Sequence, residues 1–124
     1  MKAIAATRIF DELPPMDDIL GRSVTVLGST GSIGVNTLDV IAHVRKLHGA
    51  AALPIAALTA GENVKVLIEQ AKAMRPQLAV IGNEQLFAEL KAGLSGTGIE
   101  VAAGRQAVIA AASRASDFVM VAIM

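Results

Sequence analysis

Three glycines at regular spacing are the feature of this sequence that best predicts chemistry. They are Gly28, Gly31 and Gly34 in the segment VTVLGSTGSIG, residues 24–34. A run of β-branched and leucine residues precedes them, which predicts a buried strand, and a helical period follows from Ser32. The first turn of a helix has unpaired N–H groups and the positive end of the helix dipole. A strand, a glycine turn and a helix start in that order therefore predict a phosphate-binding site.

Each glycine has its own expected role. Gly28 lets the strand turn sharply, Gly31 lets phosphates approach the backbone, and Gly34 lets the helix pack close to the sheet. Thr30 and Ser32 can add hydroxyl donors. The spacing G-x-x-G-x-x-G is a variant of the dinucleotide fingerprint, and no Lys-Ser/Thr pair follows it, so a nucleoside-triphosphatase P-loop is excluded. The alternative is a tight turn in which the glycines serve backbone geometry only.

The end of the second predicted strand, LPIAALT (53–59), indicates which dinucleotide is preferred. Folds that bind NAD usually place an acid there to hold the ribose 2′-hydroxyl, and this strand ends without one. Since an acid would repel a 2′-phosphate, its absence favours NADP. The next loop can bind that phosphate through the backbone N–H groups of Gly61 and Asn63 and the Asn63 amide. Glu62 opposes this unless its side chain points to solvent.

Composition excludes several classes of protein. The 124 residues are 53% apolar, and eleven basic residues balance eleven acidic ones, which argues against a general nucleic-acid binder. There is no cysteine, so disulfides and thiolate metal sites are excluded and a reducing compartment is favoured. Charged residues interrupt the apolar stretches near both ends, which predicts neither a signal peptide nor a membrane span. We expect a soluble, cytoplasmic protein.

Strands and helices alternate along the chain, which predicts an α/β fold with a Rossmann-like, doubly wound parallel sheet. Further strands are predicted in LAVIG (78–82), GIEVAAG and DFVMVAIM, and helices in NEQLFAELKAGL and RQAVIAAASRA. The domain is expected to span 23–124, after an irregular leader over 1–22 in which Pro14-Pro15 stops any helix. The chain ends within its fifth strand, which should be central and buried, so we expect the sheet to be incomplete at its C-terminal end.

Two helices have predicted faces. The first should end at Gly49 and bury one stripe, Ile33, Val40, Val44 and Leu47. The second should be capped by Asn63 and bury Val64, Leu67, Ile68, Ala71 and Met74. His43 and His48 are expected at the surface without a third ligand nearby, and Glu100 and Asp117 are expected to face solvent. These side chains therefore predict no metal site.

The segments LGSTGSIGVNTLDV, ALTAGENV and VMVAIM resemble the N-terminal, NADPH-binding domain of 1-deoxy-D-xylulose 5-phosphate reductoisomerases, over about residues 24–124. The resemblance implies an NADPH- and divalent-metal-dependent (Mg²⁺, Mn²⁺ or Co²⁺) homodimer of the non-mevalonate route to isoprenoids. Such enzymes rearrange and reduce 1-deoxy-D-xylulose 5-phosphate to 2-C-methyl-D-erythritol 4-phosphate. The family's metal ligands and substrate-phosphate residues lie beyond VMVAIM, so this chain is expected to bind cofactor without turnover.

The resemblance also assigns cofactor-binding residues. The positions that contact the pyrophosphate in the family match Thr30, Gly31, Ser32 and Ile33. The positions near the 2′-phosphate match Gly61, Glu62 and Asn63. Glu62 departs from the lysine or other neutral or basic residue common at its position, which puts the strength of NADPH preference in question.

Other functional classes remain open at this point. Short-chain reductases and sugar-nucleotide epimerases also use glycine-rich turns, but their catalytic tyrosine is absent here. Aspartate-semialdehyde-type dehydrogenases share the G-x-x-G-x-x-G turn, but their cysteine nucleophile is absent too. A non-catalytic dinucleotide-binding or sensing module is the remaining alternative.

Overall fold

A five-stranded parallel sheet forms the centre of the molecule. The structure is a computed structural model, and it describes residues 19–123. The strands are β1 (Val24–Leu27), β2 (Ile55–Ala60), β3 (Leu78–Ile81), β4 (Glu100–Ala103) and β5 (Phe118–Val121). Their order in the sheet is β4-β3-β2-β1-β5, and every neighbouring pair is parallel. The predicted α/β class and parallel sheet are confirmed.

Helices cover both faces of this sheet, as the doubly wound prediction requires. They are α1 (Ser32–His48), α2 (Val64–Met74), α3 (Phe87–Gly93) and α4 (Arg105–Ser113), with a 3-10 turn at Glu84–Leu86 before α3. Apolar residues of α1, α2 and α3 share one core with alternate residues of the strands. Ala111 of α4 packs in a second cluster on the opposite face, together with Ala57, Leu78 and Val80.

The buried face of α1 differs from the predicted one. Ile33, Val40 and Leu47 are 45%, 63% and 65% exposed, and Val44 is only half-buried. The buried residues are instead Gly34, Leu38 and Ile41. Two apolar stripes at helical spacing compete in this sequence, and the packing of Gly34 against the preceding turn decides between them. The predicted end of the helix is confirmed, because Gly49 follows it with a φ of +112°.

The predicted face of α2 is confirmed. Val64, Leu67, Ala71 and Met74 are buried, and Ile68 packs partly buried against the same core. Asn63 caps the helix, since its side chain accepts a hydrogen bond from the Val66 N–H.

Arg45 ties α1 to the segments that follow it. Its guanidinium donates to three carbonyl oxygens, of Ala52 at 2.9 Å, Leu53 at 3.0 Å and Met74 at 2.7 Å. Met74 is the last residue of α2, so this bond satisfies a carbonyl at that helix end. Burial lowers the pKa of Arg45, and the three acceptors offset the cost of burying its charge.

The last strand is not central within the described residues. There β5 pairs only with β1, so it is an edge strand, and it ends at Val121. Val121 is 61% exposed, so the strand is not buried within residues 19–123. The expectation of a central, buried strand concerns a sheet that continues beyond it and stays a prediction.

Most of the predicted leader, residues 1–18, lies outside the described residues, so the domain boundary at 22/23 stays a prediction. Ile19 and Leu20 are helical, and the Leu20 carbonyl accepts a hydrogen bond from the Leu53 N–H. In residues 19–123, no helix has the length and apolar character needed to cross a membrane.

Candidate dinucleotide-binding site

The glycine turn lies where the order of the sheet reverses. From β1 the chain adds β2, β3 and β4 on one side, and it then crosses back through α4 to place β5 on the other side of β1. Ligands of open α/β sheets bind outside the carboxyl ends of the strands at such a switch point. The turn at 28–31 leaves the carboxyl end of β1 at this position.

Gly28 and Gly34 are required by the geometry of this turn. Gly28 has a φ of +83°, and a Cβ there would approach the Ala122 carbonyl carbon to 3.2 Å. A Cβ on Gly34 would overlap the Gly28 carbonyl oxygen and would lie 2.6 Å from Ser29 Cα. The helix therefore begins in direct backbone contact with the turn, as expected of these two glycines.

Gly31 has a different environment. Its φ is −77°, and a Cβ there would meet nothing closer than the Gly28 carbonyl oxygen at 3.8 Å. The fold itself does not need glycine at this position. A glycine that the protein core does not require fits the predicted role of leaving space for a ligand beside the backbone.

The N-terminus of α1 is open. Gly31 is the N-cap of this 17-residue helix, and no side chain caps it. By contrast, Asn63 caps α2 and Asn83 caps the 3-10 turn through side-chain oxygens. The first turn of α1 is also exposed at Gly31, Ser32 and Ile33. The longest helix in the described chain thus has exposed residues, and no side-chain cap, at its positive dipole end.

Thr59, near the end of β2, holds the first two residues of the turn. Its backbone carbonyl accepts hydrogen bonds from the Gly28 N–H at 2.9 Å and the Ser29 N–H at 2.8 Å. Its hydroxyl accepts a second bond from the Gly28 N–H at 3.1 Å. Thr59 is 2% exposed, so these bonds are shielded from water.

Gln70, on α2, also holds the turn, through Ser29. Its side-chain amide donates to the Ser29 carbonyl at 2.8 Å and accepts from the Ser29 hydroxyl at 2.8 Å. Ser29 is fully buried. Neither Gln70 nor Thr59 was singled out from the sequence, because each lies more than thirty positions along the chain from its partner and no local spacing signals the contact.

The second predicted phosphate-binding segment, 61–63, follows the carboxyl end of β2. Since Leu27 of β1 pairs with Thr59 of β2, this segment and the glycine turn leave the same edge of the sheet. Gly61, Glu62 and Asn63 are all exposed. The Asn63 side-chain oxygen is occupied by the cap of α2, which leaves its amide N–H groups and the local backbone as candidate donors.

Glu62 is turned toward the loop that follows β3. Its carboxylate accepts a hydrogen bond from the Asn83 side-chain amide at 3.2 Å, and the Asn83 N–H donates to the Gly61 carbonyl at 2.9 Å. The Glu62 side chain therefore points only partly to solvent, the orientation in which it would not oppose a 2′-phosphate. The carboxylate is exposed but is held by Asn83. Its negative charge stays within the segment predicted to bind a 2′-phosphate.

The other polar side chains considered in the sequence lie at the surface. His43 and His48 are exposed on α1, and Glu100 is exposed and paired with Arg114 at 3.5 Å. Asp117 is also exposed, and its carboxylate accepts from the Ser23 N–H at 2.8 Å. Over residues 19–123, no group of three or more His, Cys, Asp or Glu side chains is arranged to hold a metal ion.

Comparison with known proteins places this chain in a family. The model of the 1-deoxy-D-xylulose 5-phosphate reductoisomerase family matches residues 24–124. The enzyme of that name from Rhizobium rhizogenes is 55% identical over 103 residues, which is 83% of this chain and 25% of that protein. The one from Caulobacter vibrioides is 52% identical over 103 residues, again 83% of this chain and 25% of the relative. The chain therefore spans about a quarter of the length of these relatives.

Solved structures of reductoisomerases have the same fold as this chain. The reductoisomerase of Zymomonas mobilis in complex with NADPH superposes with a TM-score of 0.75 at 43% identity, over 82% of this chain and 26% of that one. A reductoisomerase in complex with NADPH, fosmidomycin and magnesium has a TM-score of 0.71 at 30% identity, over 82% of this chain and 24% of that one. The Rossmann-like architecture is shared with both.

Proposed function

The chain belongs to the 1-deoxy-D-xylulose 5-phosphate reductoisomerase family, and we propose that it forms the NADPH-binding part of such an enzyme. The observation that carries the proposal is the uncapped, exposed N-terminus of α1 at the switch point of the sheet. An anion is the natural partner of such a helix end. The similar reductoisomerase of Zymomonas mobilis was solved in complex with NADPH, which supports the identity of that anion.

The pyrophosphate of NADPH fits the first turn of α1. Ser32 and Ile33 lie exposed in that turn and offer their backbone N–H groups, whereas the Gly31 N–H donates to the Gly28 carbonyl at 3.4 Å. The Ser32 and half-buried Thr30 hydroxyls are near enough in sequence to add donors. The absence of a Cβ on Gly31 leaves room for the phosphate oxygens. These residues bind and orient the cofactor, and NADPH supplies the hydride when bound.

The 2′-phosphate fits the 61–63 segment less well. Backbone N–H groups and the Asn63 amide favour it, whereas the Glu62 carboxylate disfavours it through like-charge repulsion. The bond from Asn83 draws that carboxylate toward the β3 loop and reduces its opposition to the phosphate. We propose that NADPH is preferred over NADH here by a smaller margin than a lysine at position 62 would give.

The rest of the activity is proposed for the whole enzyme. It rearranges 1-deoxy-D-xylulose 5-phosphate and reduces the product to 2-C-methyl-D-erythritol 4-phosphate for isoprenoid synthesis, as a cytoplasmic homodimer. One related reductoisomerase was solved with magnesium as well as NADPH, which supports a divalent metal. We assign no metal ligand to the described residues, in which no suitable cluster occurs.

Calorimetric titration of the 124-residue chain with NADPH tests this proposal. We expect saturable binding, and no oxidation of NADPH when 1-deoxy-D-xylulose 5-phosphate and Mg²⁺ are added. No binding of NADPH would overturn the assignment of the site. Turnover by the chain alone would overturn the view that the reaction needs residues outside it.

A further inference from the structure

The side chain of Gln70 uses both of its polar groups on one residue of the glycine turn. The amide N–H donates to the Ser29 carbonyl, and the amide oxygen accepts from the Ser29 hydroxyl, each at 2.8 Å. A side-chain amide offers a donor and an acceptor side by side in this way. The pair joins α2 to the turn across 41 positions of sequence.

The bond to the Ser29 carbonyl has a consequence for the next peptide N–H. A trans peptide is planar, and its C=O and N–H point in opposite directions. Because Gln70 holds the Ser29 carbonyl toward α2, the Thr30 N–H of the same peptide must point away from α2. Within residues 19–123 the Thr30 N–H makes no hydrogen bond, so its direction is not set by a partner of its own.

The burial of Ser29 makes this arrangement rigid. Ser29 has no exposed surface, and its backbone N–H donates to the Thr59 carbonyl at 2.8 Å. Ser29 is therefore fixed at its N–H by β2 and at its C=O and hydroxyl by α2. The exposed part of the turn, from Thr30 onward, begins from this fixed residue.

We propose that Gln70 is a positioning residue for cofactor binding, which orients the Thr30 N–H toward the pyrophosphate. The proposal rests on the proposed function, since the pyrophosphate is the ligand that this N–H would meet. Gln70 acts through Ser29 and does not touch the cofactor. A Thr30 N–H aligned in advance costs less entropy to order when the ligand binds.

The test compares three variants of the 124-residue chain. Gln70→Leu removes both bonds to Ser29. Ser29→Ala removes only the hydroxyl bond and keeps the bond to the carbonyl. Gln85→Leu is the matched control, because it makes the same change at an exposed glutamine outside α2 and the glycine turn.

The first measurement is the ¹⁵N order parameter of the Thr30 amide without ligand. We expect a rigid value near 0.85 in the native chain and in Gln85→Leu, and a value below about 0.6 in Gln70→Leu. Ser29→Ala should stay closer to the native value, since the carbonyl bond remains. An unchanged order parameter in Gln70→Leu overturns the proposal.

The second measurement is the affinity for NADPH. We expect Gln70→Leu to bind about tenfold more weakly and Ser29→Ala to lose less, in the same order as the amide mobilities. Equal affinities of Gln70→Leu and the native chain overturn the positioning role. If the native chain itself does not bind NADPH, the proposed function fails, and the order parameter alone then decides whether Gln70 fixes the turn. If Gln70→Leu does not fold, Gln70→Glu replaces it, because a glutamate keeps the acceptor for the Ser29 hydroxyl but cannot donate to the carbonyl.

Discussion

Among the three glycines of the turn, Gly31 is the one that the fold does not require and that a bound ligand could require. Its backbone is in an ordinary extended conformation, and a Cβ there would lie 3.8 Å or more from other atoms. Gly28 and Gly34 have no such freedom, since Gly28 has a φ of +83° and a Cβ on Gly34 would collide with the backbone of the turn. The three glycines are alike in the sequence, and the structure shows that only two of them are needed for the turn itself.

Gly31→Val is therefore expected to abolish dinucleotide binding while the domain stays folded. The valine side chain would occupy the space that the pyrophosphate needs, without meeting the protein core. Calorimetry with NADPH measures the binding, and circular dichroism with a thermal melt checks the fold. Affinity equal to that of the native chain in this variant would contradict a phosphate site at α1.

Glu62→Lys is expected to strengthen NADPH binding about three- to tenfold and NADH binding less. Lysine removes the repulsion of the carboxylate and places a cation near the 2′-phosphate, which only NADPH carries. Glu69→Lys is the control, because it makes the same charge change at an exposed position of α2. An equal response of both cofactors to Glu62→Lys would show that residue 62 is not near the 2′-phosphate.

At the scale of elements, periodicity predicted the type and order of the helices and strands, but not every face. Helix α2 has a single apolar stripe at helical spacing, and that stripe is buried. In α1 the stripe through Val40 and the stripe through Leu38 both have helical spacing, and contact with the turn at Gly34 selects the second. Such a choice depends on tertiary packing, so it cannot be read from one helix alone.

Arg45 is the residue that links elements most directly. Two of its hydrogen bonds hold the α1–β2 connection at Ala52 and Leu53, and the third reaches the end of α2. The φ of Leu53, +51°, is unfavourable for leucine. Arg45→Met should lower the free energy of unfolding by about 2–3 kcal/mol, because buried carbonyls lose charged donors. Urea unfolding measures the loss, with Lys46→Met, at an exposed neighbouring position, as the control. Equal stabilities of the two variants would contradict this role.

At the scale of the molecule, the sequence predicted the parallel sheet and a candidate site after its first two strands. It did not predict the contacts of Thr59 and Gln70 with the glycine turn, since these depend on how distant segments meet. It also placed the fifth strand at the centre, because apolar residues on both faces are typical of buried strands. In the described residues that strand lies at the edge, with Val121 exposed.

This exposed edge should make the chain self-associate. Ile109, Val121 and Ile123 are each about half exposed or more, and an unpaired strand edge favours pairing between molecules. Light scattering during size-exclusion chromatography should show species larger than the 12.7 kDa monomer. Val121→Lys should reduce the association more than Val40→Lys, which changes an exposed valine on α1. A sharp monomer peak for the native chain would contradict this expectation.

The thermal unfolding midpoint with NADPH and with NADH at matched concentrations tests the central claim most directly. A ligand at about 100 times its dissociation constant adds about 2.7 kcal/mol of stability, which raises Tm by roughly 10 °C in a domain of this size. We predict a rise with NADPH, a smaller rise with NADH, and none with either cofactor in Gly31→Val. If neither cofactor raises the Tm of the native chain, the open N-terminus of α1 is not a dinucleotide site in this chain, and the proposed function is contradicted.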